Sequence, residues 1–472
     1  MNTATVSQHM VPAVYMQHGV GESIELYRGQ ARLHSGNAEL HGKVVIQMSF
    51  ASVNETEVVM EVSPAPPSIH GVLRRLSDRP RCEVADINLD FDCLLINTEW
   101  SMSNRLVLTL TSVSFVSVGS WSSRCREVRS HYFNVPRLVL TPSRYRLETG
   151  DAIRGVECIE GDVGDWRVVF EMIETPRGLY RSLANSKGYF LTAVLALTRC
   201  DGRGFWASDA ESVLDVIDAS LSFAFHRNVR RSLVVNFGFA GQVIAEEWGA
   251  MRIDGYRSLQ GWFDYRRSAS LLSLWKRLFG VWEDPRIRDL FEESLYWYVD
   301  GHSSGGAIEK TLVMLSTCLE MLAWRLCVKD DESSKLFGGF SSVKRIRKLF
   351  VELRVGTVVP SHLESIGLVS LALREAKLPC DLPAVIGRVR NLIVHSSSQT
   401  RSSDTFKFTR SADVLWEIVQ VQRFVIECAL LKQVGFAEVF GDRTRPKQYS
   451  HTAVRFVRDG WPKEERSAGS RT

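Results

Sequence analysis

No Cys-x-x-Cys pair and no histidine cluster at zinc spacing occurs in this sequence, which removes the usual zinc frameworks. Its nine cysteines stand apart, at positions 82, 93, 125, 158, 200, 318, 327, 380 and 428. An odd, irregularly spaced set argues against a disulfide scaffold and fits a reducing compartment, where buried thiols act as small hydrophobes. An excess of either charge is lacking: the net is +4 over 472 residues, which permits a polyanionic partner without demanding one. No apolar run approaches the roughly 18 residues that span a bilayer, and the first residues carry no basic stretch leading into an apolar one. Solenoid repeats and low-complexity tracts are also missing. These absences predict a soluble, cytoplasmic protein with no membrane partner, no metal and no other cofactor.

What is present is 45% apolar and 24% charged sequence, the balance of a globular protein, and too much of it for one ordinary domain. The expected fold class is α+β and multidomain. Residues 1–150 read as a β-rich domain, sandwich or barrel-like, from alternation in Lys43–Phe50, Glu57–Val62 and Arg105–Val118. Within it Arg124, Arg126, Arg129 and His131 form a basic cluster beside Trp121 and Tyr132, read as a solvated strand edge. Residues 151–283 read as mixed α/β, with strands at Trp166–Ile173 and Ser232–Phe239 and helices at Ser186–Leu197 and Ala210–Phe225. The aromatics Trp248, Trp262, Phe263 and Tyr265 are expected to be packing residues.

Residues 284–440 read as an all-α helical bundle, and 441–472 as a basic polar tail. Asp284-Pro285 caps a helix running to Gly301, and Ala307–Val328 is a buried helix in which Glu320 needs a partner. A loop at Lys329–Ser341 separates it from Ser342–Leu353, followed by helices at His362–Ala376 and Ala412–Val434. Between those two, Pro383 opens an amphipathic helix that carries Arg390 and Asn391 and ends at His395, before a serine-rich loop. The bland reading of that pair is a surface Arg with a carboxylate partner and a His capping the last carbonyls.

The Tyr296-Trp297-Tyr298 helix end, the Leu319–Trp324 helix and Arg390-Asn391…Val394-His395 together resemble the HEPN superfamily, in particular its ApeA-like branch. Its ribonucleases carry an Arg-x(4–6)-His motif. The resemblance implies a HEPN-like bundle and a metal-independent endoribonuclease, in a setting of bacterial antiphage defence or stress response. In that scheme His395 acts as general acid or base, Arg390 grips the scissile phosphate, Asn391 orients the His ring or a phosphate oxygen, and Glu320 pairs with the Arg guanidinium. Lys344, Arg345, Lys348 and Arg388 are candidate contacts to the RNA backbone, against the plainer reading of a solvated face. Five helical residues turn about 500°, leaving Arg390 and His395 roughly 140° apart. The resemblance therefore implies a homodimer through the C-terminal bundle, two motif helices sharing one cleft, with a phage or host trigger acting on the N-terminal domain. The alternative is a non-catalytic protein that uses the bundle to dimerise or to bind nucleic acid.

Overall fold

The computed structural model of the chain describes residues 15–444 and 453–454. The exceptions are 50–54, 64–72, 77–78, 102–104, 113–115, 139–141, 144–155, 258–260, 304–306 and 395–410, with a few single positions. The molecule is mixed α+β, with two sheets in its N-terminal half and helices in its C-terminal half. It divides into two compact units. One comprises Met1–Asp218 and Asn228–Ser258; the other comprises Ala219–Arg227 and Leu259–Thr472.

In the first unit β1 (Ile24–Ser35), β2 (Ala38–Ser49), β3 (Glu55–Val62), β4 (Arg81–Val84), β5 (Leu89–Ser101) and β6 (Arg105–Ser112) close an antiparallel barrel in the order β1-β2-β3-β6-β5-β4. Alternation selects its interior. Val58, Met60 and Val62 on β3, and Leu106, Leu108 and Leu110 on β6, are buried, while the residues between them on β3 are half-exposed. A two-residue turn joins β1 to β2, and Gly36 takes the positive φ of 56° that this tight hairpin needs. Register shifts at Glu25/Tyr27 and Leu95/Asn97 give the extra bend that closure requires.

The second sheet of this unit is also antiparallel and draws strands from both sides of residue 150. It comprises β7 (Val116–Gly119), β8 (Glu127–Phe133), β9 (Pro142–Ser143), β10 (Val156–Val163), β11 (Trp166–Met172), β12 (Leu191–Arg199), β13 (Arg231–Phe237) and β14 (Val243–Ala250). Their order is β7-β14-β13-β8-β12-β11-β10-β9. The expected single run Arg105–Val118 is thus two strands in different sheets. The expected helix Ser186–Leu197 is also corrected. A short helix, α1 (Leu179–Ser186), ends at Lys187 with φ 52°, and the chain then enters β12. Residues 191–197 are all buried, and an apolar run covered on both faces carries no period to separate strand from helix.

The basic cluster is corrected as well. β8 lies in the interior of the sheet, not at its edge. His131 is fully buried, its Nδ1 2.7 Å from the Leu233 carbonyl oxygen, and burial lowers its pKa to about 4. Arg129 pairs with Glu127 and lies 4.3 Å over the Phe237 ring.

Helix α2 (Glu211–Phe225) begins in the first unit and ends in the second. The second unit continues with α3 (Ala269–Trp282), α4 (Pro285–Ser303), α5 (Ile308–Cys327), α6 (Asp331–Gly338), α7 (Ser342–Leu353), α8 (Glu364–Glu375), α9 (Leu382–Val394) and α10 (Ala412–Gln433). The α5 helix packs against α4, α7, α9 and α10. Two helices depart from the sequence reading. The α3 helix was not expected, and α6 occupies the expected loop. It is started by Asp330, which accepts from the Ser333 amide at 2.7 Å, while Ser333 Oγ returns to the Asp330 amide region. The α4 helix also runs past the expected stop at Gly301 to Ser303, and Gly301 faces Met314 and Leu315 of α5. No described helix is long and apolar enough to cross a membrane.

Candidate functional site

Helix α9 starts at a built junction. The Asp381 carboxylate accepts from the Ala384 amide, and the Leu382 amide donates to the Thr357 carbonyl at 2.8 Å. Pro383 falls in the first turn, where no intrahelical donor is lost. From Leu382 to Gly387 every residue is buried, followed by Val389 and Leu392. Arg388 and Arg390 are half-buried, and Asn391 and Val394 face solvent. The stripe therefore leaves the Arg390 head at the border between core and solvent.

Arg390 Nη1 donates to Asn391 Oδ1 at 3.1 Å, while its Nε is buried without a hydrogen-bond acceptor. The guanidinium has no carboxylate partner among the described residues. Asn391 is therefore a ligand of Arg390 here. His395 lies outside the described residues.

The expected Glu320–Arg390 pair is corrected. Glu320 accepts from Ser342 Oγ at 2.7 Å and stands 3.9 Å from Arg345 Nη1, its side chain 24% exposed. It faces the start of α7. Arg345, a candidate RNA contact, is likewise occupied. Its Nε and Nη2 donate to the Phe337 and Gly338 carbonyls at the end of α6, and its head lies 5.8 Å from the Trp324 ring. Lys344 and Lys348 are exposed, with the Lys344 ammonium 3.7 Å over Phe340. Arg388 is half-buried. Arg347, which sequence reasoning passed over, makes a bidentate pair with Asp381 at 2.6 and 2.8 Å and ties α7 to the start of α9.

A buried polar network in the second unit was also missed. Tyr298 of α4 donates to Glu427 of α10 and contacts His226 Nδ1. Arg443 reaches His226 Nε2 at 3.0 Å and pairs with Glu427 at 3.0 Å. All four are buried. Burial raises the Glu427 carboxyl to about 7 against the pull of Arg443, Tyr298 and Arg423, and burial beside Arg443 lowers Arg423 to about 9. His226 sits at φ 55°, and a Cβ on Gly261 would overlap its Nε2, so the ring fits only against glycine. The signal was present in the sequence: an ionisable residue inside the apolar run of α10.

The first unit holds a second such group. Asp218 accepts from Tyr132 and pairs with Arg231, which also reaches Glu211 and Asp215. Burial raises Asp218 to about 6, opposed by Arg231.

Two family models match the chain, one described as the YopA central domain over residues 120–259 and one as the YopA C-terminal domain over residues 284–455. A relative, the SPbeta prophage-derived uncharacterized protein YopA of Bacillus subtilis (strain 168), is 26% identical over 208 residues. That alignment covers 40% of this chain and 47% of the relative, so the chain spans about half the length of the protein it matches. No solved structure matches. In its central and C-terminal parts the chain is similar to YopA.

Proposed function

We propose that the chain is a metal-independent endoribonuclease of HEPN type, with an ApeA-like bundle in its C-terminal region that acts as a homodimer. One observation carries this reading: Arg390 is a positioned cation at the core border whose head is held by an amide, with no carboxylate partner among the described residues. Such a guanidinium is free to take a phosphate oxygen pair. In the proposed step the 2′-oxygen of RNA bonds to phosphorus and the bond to the 5′-oxygen breaks. One His395 imidazole takes the 2′ proton, and that of the second protomer protonates the leaving oxygen. Arg390 stabilises the charge on the non-bridging oxygens. Lys344 and Lys348, exposed on α7, remain candidates for backbone contacts. A prophage-derived relative supports a setting in phage–host conflict, with the N-terminal barrel as the place for a phage or host trigger.

The test is a gel assay on bulk tRNA and mRNA, with EDTA present. Wild type should cleave, and Arg390→Ala or His395→Ala should each lose about 10²–10⁴-fold in rate. Cleavage surviving both substitutions would sink the proposal. A second reading, a non-catalytic dimerising or nucleic-acid-binding protein, is favoured by the engagement of Glu320 with Ser342 and Arg345 and not with Arg390. It predicts no cleavage by the wild type.

A further inference from the structure

The chain before β8 makes an isolated antiparallel bridge with the segment after β12. The Cys125 amide donates to the Phe205 carbonyl, and the Phe205 amide to the Cys125 carbonyl, both at 2.9 Å. Cys125 and Phe205 point inward and are buried. Side chains alternate along extended backbone, so their neighbours must point outward. This sets Arg124 opposite Trp206 and Arg126 opposite Gly204. The Arg124 guanidinium lies 5.7 Å from the Trp206 ring. Gly204 is covered by Phe239, whose Cζ lies 2.6 Å from where a Cβ would stand.

One outward face of the first unit thus gathers two guanidinium groups and two large rings. Trp206 is 42% and Phe239 57% exposed. Neither Arg124 nor Arg126 has a carboxylate partner among the described residues. The acidic groups nearby are engaged: Asp209 accepts from the Trp206 amide at 2.9 Å, Glu127 pairs with Arg129, and Asp201 accepts from the Arg203 amide at 3.0 Å. The face is left positive and aromatic.

We infer that this face binds single-stranded nucleic acid, with Trp206 and Phe239 stacking on bases and Arg124 and Arg126 holding phosphates. An acidic protein surface would use the arginines but has no need of exposed rings. Bases do, because every base presents a π-face and stacking tolerates any sequence. Alternate positions on extended chain lie about 7 Å apart, so Trp206 and the ring over Gly204 can take neighbouring bases of one strand. The Arg124 head beside Trp206 adds a flat cation on which a base can also lie. Duplexes are excluded from this mode, since their bases are already stacked. The inference stands apart from the nuclease proposal: it needs a strand to be bound, not cut.

The test uses the full chain and a fluorescein-labelled 15-nucleotide oligo(dT), which lacks the 2′-hydroxyl and cannot be cleaved by 2′-attack. Anisotropy is read at 50 and 200 mM NaCl. Trp206→Ala and Phe239→Ala should each weaken binding roughly ten-fold or more, and Phe239→Tyr should retain it. Arg124→Ala should weaken binding and flatten its salt dependence. A thermal melt of each variant separates lost binding from lost folding, and the Phe239→Tyr rescue covers any variant that melts early. Unchanged affinity in the alanine variants overturns the inference. So does competition by poly-glutamate equal to that by unlabelled oligo(dT), which would assign the face to an acidic protein. Loss of oligo(dT) binding beside intact RNA cleavage, or the reverse, tells the two proposals apart.

Discussion

A carboxyl group enclosed by protein holds its proton to higher pH, and Glu427 does so up to about 7. In the unfolded chain it would titrate near the usual value for glutamate, about 4.3. Its folded pKa is raised, so its favourable contribution is complete below the unfolded value and is lost as pH climbs through 7. Glu427→Gln keeps the shape and removes the titration. Urea unfolding at pH 5 and pH 8 should show the wild type losing, relative to this variant, on the order of 2–4 kcal/mol. Equal losses in the two proteins would mean that Arg443, Arg423 and the Tyr298 hydroxyl hold the carboxylate charged throughout, against burial and the nearby Asp442. His131 works in the opposite sense. Buried neutral with its pKa lowered to about 4, it subtracts stability as pH falls from about 6.5, where the unfolded imidazole charges. The sequence made Glu320 and Glu427 look alike, each a carboxylate in apolar helical text. What separates them is tertiary: Ser342 and Arg345 meet Glu320 at a surface, whereas Arg443 comes to Glu427 from beyond the helix.

At the level of elements, the close approach of α7 and α9 depends on one missing methyl group. A Cβ on Gly387 would collide with Val343 Cγ2, and a branched side chain on a helix has little room to turn away. Gly387→Ala should therefore destabilise by about 1–3 kcal/mol despite alanine's better helix propensity, and Val343→Ala should relieve it in the double variant. Additive losses would show that Val343 is not what the added methyl meets, and no loss in Gly387→Ala alone would show that the two helices yield without cost. The helices of this half were legible where period and caps agree: the expected bounds of α5, α7 and α10 lie within one residue of those found. The α6 helix was hidden because its reciprocal cap uses Ser333 where glutamate or glutamine is the usual cue. β12 was misread because burial on both faces erases alternation. Around Arg390 the sequence revealed the helix and its polar border. It could not reveal that Arg347 and Asp381 fasten that helix, since their 34-residue separation leaves no local trace.

For the whole molecule, residues 219–227 belong to one unit while the chain on either side builds the other. A linear reading that divides the sequence into successive blocks has no means of finding such an exchange. Phe223 meets Trp262, Phe291 and Tyr298, and its carbonyl accepts from Trp262 Nε1 at 3.2 Å. A fragment of residues 259–472 should therefore lack a cooperative melt by circular dichroism, its Tyr298 and Arg443 deprived of His226. A sharp transition in that fragment, matching one in the intact chain, would show the excised residues to be dispensable. The same exchange bears on birth at the ribosome. Arg443 follows His226 by 217 residues, so at about 5–20 residues per second the nascent His226 waits some 10–40 s for this partner to be translated.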